Sequence, residues 1–168
     1  MTAAVKIHEM SATQSGSDKT SGTVRFQMAD DATVDNDNPI TIPQSGDYTR
    51  SMSKQFRMYC ATAPSVRLDN LRMYTDGSNG LGTGVDVFAS NCLAQGGTFS
   101  ANASADIGGA DLFGFDSGTP FDMDAQFTAS VHGTGYFGDM LKLQMRVAST
   151  ASPGATNSET ITFAYDEI

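Results

Sequence analysis

The sequence predicts an all-β fold, a β-sandwich or jelly roll of about eight strands in a single domain over residues 1–168, and three observations predict it. Apolar and polar residues alternate in short runs, the period of a strand with one face in a core and one in water. No segment keeps a helical period for more than a turn or two. The acids are almost all of the turn-forming kind, sixteen Asp against only Glu9, Glu159 and Glu167, and seventeen Gly accompany them. Asp competes with its own backbone inside a helix and suits turns, whereas Glu is a helix former. A small closed barrel is the alternative within the class. A chain of 168 residues suits one domain, and neither a fixed-period repeat nor a linker divides it.

Val5 and Ile7 open the chain on one face of a strand, with His8 beside them on what reads as an edge. After the Ser21-Gly22 break, Val24, Phe26 and Met28 point one way and Arg25 and Gln27 the other. An Asp- and Asn-rich loop, 30–39, follows. Ile40 and Ile42 read as a short edge strand stopped by Pro43, which cannot donate to a ladder. From Ser51 to Cys60 the apolar face carries Met52, Phe56, Met58 and Cys60, with Lys54 as a polar exception. Val66 and Leu68 fall on even positions but Leu71 and Met73 on odd ones, so the faces agree only if a bulge or bend lies at Asp69-Asn70.

The glycine-rich stretch from Thr75 to Gly84 leads to a strand with Val85, Val87 and Ala89, read as a long-looped hairpin or as Greek-key neighbours. Residues 91–138 mix small residues with Phe99, Phe113, Phe115, Phe121, Phe127, Tyr136 and Phe137, and read as two to four short strands or an ordered arm. The clearest strand carries Leu141, Leu143, Met145 and Val147 against Lys142, Gln144 and Arg146. The last has Ile161, Phe163 and Tyr165 on one face. Phe26, Phe56, Met58, Leu143, Met145, Ile161 and Phe163 are the expected core.

Ten basic and nineteen acidic residues give 10 − 19 = −9. That balance opposes nucleic-acid binding, where Lys and Arg must displace phosphate counterions. No apolar run is long enough for a membrane helix, and the first residues lack the apolar core of a secretory signal, so the mature chain is expected to start with the sequence. Residues 1–72 hold eight basic and eight acidic side chains; residues 73–141 hold eight Asp and no Lys or Arg. Such lopsidedness suits docking on a basic partner.

Candidate chemistry is thin. His8 and His132 lack the surroundings of a catalytic base, and no G-x-S-x-G elbow occurs. Phe115-Asp116-Ser117-Gly118-Thr119 copies the short aspartic-protease motif once, without the second copy that chemistry needs, and reads better as a turn. Asp31, Asp35 and Asp37, with Asp30, form a weak calcium candidate, and Asp76, Ser78 and Asn79 a weaker one; neither has the EF-hand spacing, and solvated turns are the simpler reading. Cys60 and Cys92 match no zinc pattern and read as separate thiols, with Cys60 in the core and a disulfide as the alternative. No catalytic residue, metal or cofactor is assigned. The aromatic residues of 99–137 are read as core rather than as a sugar platform, since the chain has no Trp.

AVKIHEM at 4–10, SGTVRFQMADDATVD at 21–35, NLRMYTDGSNGLGTGV at 70–85 and ASTASPGATNSETITFAYDEI at 148–168 together resemble small β-rich virion structural proteins of tailed bacteriophages. The resemblance spans nearly the whole chain in layout, and its blocks are strand and turn sequences, so it implies a virion part and carries over no catalytic residue. On that basis the protein is expected to be a capsid decoration or cement protein in the virion. Its partners would be the major capsid protein or other virion proteins, with homo-oligomers on the particle and neither nucleic acid nor membrane bound. A tail or head-to-tail connection protein and a host glycan- or receptor-binding module are the alternatives. Arg50, Lys54, Arg57, Arg67 and Arg72, with only Asp47 and Asp69 as acids from 44 to 72, are the expected partner-binding patch, meeting the acidic middle of a neighbouring copy.

Overall fold

Strand β9 (Gly135–Val147) is the axis of the molecule, thirteen residues whose alternate side chains enter the core. The computed structural model describes residues 2–10, 16–31, 33, 35–92, 104–125 and 131–168. Among them the chain is all β apart from one 3-10 turn at Leu112–Gly114. The other strands are β1 (Ala4–Met10), β2 (Gly16–Asp18), β3 (Thr49–Arg50), β4 (Lys54–Thr62), β5 (Leu68–Tyr74), β6 (Val85–Cys92), β7 (Ala110–Asp111), β8 (Phe121–Asp122) and β10 (Thr162–Glu167). They form two antiparallel sheets of a sandwich. The large sheet runs β2-β1-β4-β9-β6-β7, with β3 also on β9; the small one runs β10-β5-β8.

The core lies between the sheets. Phe56, Met58, Val87, Leu141 and Leu143 from the large sheet join Leu71 and Met73 from β5 and Met123 just after β8. Phe56 pairs with Leu141 and Met58 with Phe137, so β9 carries extra residues around Gly138 at this point. Gly138 makes the bulge possible. Its φ is +68°, and a Cβ there would lie 2.8 Å from Leu71 Cδ2 and 3.0 Å from the Met123 carbonyl oxygen, a closeness no other residue tolerates.

The predicted bulge in β5 is present. Ala164 pairs with Arg72 and Asp166 with Asp69, so Asn70 and Leu71 together oppose Tyr165. Asn70 takes φ 54°, a conformation Asn accepts more readily than most residues. The slip returns Leu71 and Met73 to the face of Leu68, and all three are buried. The glycine-rich connection after Tyr74 does not close a hairpin: β5 lies in the small sheet and β6 in the large one, so the chain crosses between layers and needs the length.

Two expected strands form no ladder. Residues 22–28 and 39–43 have no regular secondary structure and belong to neither sheet. They are held at one end, where Met28 N–H donates to the Asn38 carbonyl at 2.9 Å and Met52 N–H to the Gln27 carbonyl at 2.9 Å. Phe26, Ile161 and Phe163, expected in the core, are therefore only partly buried, packed against its margin, while Phe56, Met58, Leu143 and Met145 are buried as expected. His8 lies on an interior strand rather than an edge, since β1 sits between β2 and β4. At one pole Ala3 N–H donates to Glu167 Oε1 at 2.8 Å, joining the start of β1 to the end of β10. Phe99 and Phe127 lie outside the described residues.

Candidate interaction surfaces

The five basic residues read as one patch do not share a surface. Strand parity decides two of them. Lys54 occupies the face of Phe56 and Met58 and is 1 % exposed; Nζ lies 2.8 Å from Glu9 Oε1, and Glu9 is itself buried at 4 %. Lys54 also donates to the Asp31 carbonyl, and Lys19 stands 3.6 Å from Glu9 Oε2. Arg57 is buried on the opposite face, where Nε donates to the Gly138 carbonyl at 3.3 Å and the guanidinium lies 5.8 Å from the Tyr136 ring. Burial pushes its pKa below the ordinary guanidinium value.

The remaining three are each engaged by a carboxylate, Arg67 and Arg72 through Asp69 and Asp166, which lie opposite one another on β5 and β10. Arg50 lies 3.4 Å from Asp106 and 3.8 Å from Asp47. Arg67 meets Asp69 at 2.5 Å, and Arg72 meets Asp166 at 3.1 Å. Each pair is at least partly exposed, so its net energetic worth is small, but each neutralises the charge that a partner would need. Arg146, outside the predicted patch, completes a cluster by reaching Asp106 at 2.5 Å while its guanidinium lies 3.6 Å from the Phe88 ring centroid.

Arg25 apart, what the basic residues leave outward is acid. Asp76, Asp111, Asp116 and Asp122 are all exposed. The Asp116 carboxylate accepts N–H bonds from Gly118 and Thr119, each at 2.8 Å, which close its turn and hold its pKa below the usual carboxylate value. The protease-like motif is thus a side-chain-capped turn.

The loop of the weak calcium candidates is organised by a buried amide. Gln27 Nε2 donates to the Asp31 and Thr33 carbonyls at 3.2 and 2.9 Å, and its Oε1 accepts Asp35 N–H at 2.9 Å. The carboxylates serve their own backbone: Asp31 accepts Thr33 N–H, and Asp35 accepts Asp37 N–H and the Asn38 amide. Asp37 is exposed. Among the described residues no group of three or more His, Cys, Asp or Glu could hold a metal ion. Cys60 is a buried free thiol, and burial pushes its pKa up.

Two further features were not foreseen. On the β1-β4-β9 strip, His8 stacks on Tyr59 with ring centroids 4.9 Å apart, and its Nδ1 lies 2.9 Å from the Tyr136 hydroxyl. The cross-strand pairs Lys6–Tyr59 and Tyr59–Tyr136 bring these rings together, a register that a sequence does not print. The second feature is a cleft of about 1010 Å³ bordered by the 22–27 arm, β10 and the inner face of the large sheet. Among the described residues no helix is long and apolar enough to cross a membrane. No protein-family model, curated protein or solved structure matches this chain.

Proposed function

We propose that the protein is a structural component of a tailed-bacteriophage virion, a capsid decoration or cement protein that binds the outer shell. The observation that supports this reading best is the distribution of charge on the sandwich. Lys54 and Arg57 are sealed inside, and Arg50, Arg67, Arg72 and Arg146 each face a carboxylate of the same chain. Asp76, Asp111, Asp116 and Asp122 stay exposed, and the net charge is −9. A rigid body of this kind adheres to a basic surface, here the major capsid protein, and weak contacts repeated over a symmetric shell add up. The exposed carboxylates, rather than the basic residues, carry the docking.

The test is retention on particles. Replacing Asp76, Asp111, Asp116 and Asp122 by Asn together should lower the salt concentration at which the protein washes off the shell. Retention unchanged by the four substitutions would count against the reading. Copy number separates a shell-coating protein, which follows the shell subunit in number, from a tail or head-to-tail connector, which follows the ring it closes. The stacked His8, Tyr59 and Tyr136 rings favour the second reading, a host glycan-binding module, because amphipathic rings on an open strand face are suited to a sugar. Binding of the purified protein to a glycan array, lost in Tyr136→Ala, would select it.

A further inference from the structure

Two strand edges that have no ladder partner among the described residues border one largely apolar cleft. β10 ends the small sheet and pairs only with β5. The 22–27 arm belongs to no sheet, although Val24 and Phe26 alternate with Thr23 and Arg25 as strand residues do. Every residue from 22 to 27 borders the cleft, and so do the successive residues Ile161, Thr162 and Phe163. All six arm residues border the cleft, so the arm presents its backbone edge there, while in β10 Phe163 and Tyr165 border it and Ala164 does not, so that strand turns a face toward the cleft with Thr162 at its edge. The lining that stays accessible is apolar: Val5, Ile7, Ile40, Ile42 and Phe163 border the cleft and are only partly buried.

Size and polarity together define the occupant. A volume of about 1010 Å³ stands at the top of the range of roughly 300–1,000 Å³ for small-molecule sites, and the cleft opens to solvent, so it has room for an elongated occupant. An acyl chain would satisfy the apolar lining and leave the N–H and C=O groups of both edges without partners. An extended peptide satisfies both. Charge narrows it further. Arg25 on the arm and Glu159 just before β10 both border the cleft, and neither has an ion pair among the described residues.

We propose that this cleft is a slot for one extended strand of another polypeptide, apolar at alternate positions, with an acidic residue beside Arg25 and a basic residue beside Glu159. Cross-strand pairs of opposite charge set its direction. Among the described residues a second copy of this chain offers no donor: its alternating runs in β1, β4, β9 and β10 are already laddered, and its arm is fastened at Gln27 and Met28. The slot is separate from the acidic surface and stands whether or not the partner belongs to a virion.

Amide hydrogen exchange on the full-length protein tests it, with three short synthetic peptides of one composition as probes. Two have valine at every second position and carry glutamate near one end and lysine near the other, in opposite orders. The third is shuffled so that the alternation is lost. One of the two ordered peptides should slow exchange at 23–26, and at those amides of 161–164 that do not donate to β5, by about tenfold or more, with the shuffled peptide inactive. The double variant Arg25→Glu, Glu159→Lys, changed only outside the core, should transfer the preference to the other ordered peptide. Any of four results overturns the proposal: the 23–26 amides already protected in the isolated monomer, a dimer in light scattering with the 23–26 amides protected, equal protection by the shuffled peptide, or protection by none.

Discussion

Lys54 Nζ and Glu9 Oε1 form a 2.8 Å ion pair on the inner side of the large sheet, where neither side chain reaches water. Removing one partner leaves the other charge buried without its counter-ion, a loss of about 3–5 kcal/mol. Lys54→Met should therefore lower the urea midpoint strongly. The double variant Lys54→Met, Glu9→Leu should recover most of the loss, because matched apolar residues replace a buried pair at little cost. A double variant as unstable as the single one would show that the Asp31 carbonyl and Lys19 contacts, not the pair, hold this end of the sandwich.

The two large aromatic positions differ in how completely they are enclosed. Phe56 is 2 % exposed inside the core, whereas Phe163 is only partly buried at the cleft. Phe56→Ala should cost about 3–5 kcal/mol. Phe163→Ala should cost less, on the order of 1–2 kcal/mol, because partial burial removes less apolar area from water. Equal losses in denaturant titrations would mean that the cleft is closed over Phe163 in solution.

Gly138 and Gly46 both take left-handed backbone, with φ +68° and +82°. A Cβ at Gly46 meets nothing within 4 Å, whereas at Gly138 it strikes Leu71 Cδ2 and the Met123 carbonyl. Gly46→Ala should cost about 1–2 kcal/mol, the strain of the conformation alone. Gly138→Ala should cost distinctly more and shift the midpoint further, since the bulge that joins the two sheets has to move.

Acid should weaken the fold below about pH 4. Asp106, held low by the Gly108 N–H, Asp116, held low by the Thr119 N–H, and Asp166, held low by the Asn70 amide, all have depressed folded-state pKa values. Their stabilisation is present above the unfolded value of 3.8 and is lost as pH falls through the lower folded values. Asp124 has the opposite sign. Burial, then the hydrogen bond with Asp122, holds its carboxyl up, so its contribution is present at low pH and is lost as pH rises through the raised value. Asp124→Asn should thus be at least as stable as the unaltered protein at pH 7, with the difference fading near pH 3; a stability curve shifted equally at both pH values would refute the assignment.

The alternation of Leu141 to Val147 and the parity change at Asp69-Asn70 revealed a strand and a bulge because a period of two records which face is buried. The same rule held the clue to the ion pair: Lys54 breaks the apolar face of β4, and Glu9 falls on the face of Val5 and Ile7 in β1. Reading the two exceptions as partners would have placed Lys54 inside instead of in a surface patch. The arm shows where alternation stops being informative, because Val24 and Phe26 have the pattern of a strand but the pattern does not supply a neighbour to pair with. The ring cluster of His8, Tyr59 and Tyr136 depends on pairings between strands more than seventy residues apart in the case of β4 and β9, and local sequence carries no trace of that distance.

The contact between Ala3 and Glu167 bears on how the molecule can be rewired. Because the outermost strands finish side by side at one pole, a brief flexible bridge could splice them into a continuous loop, and fresh termini could be cut at the exposed 152–158 turn without parting any ladder. A tag or cargo joined before Ala3 or after Glu167 would leave from that same pole.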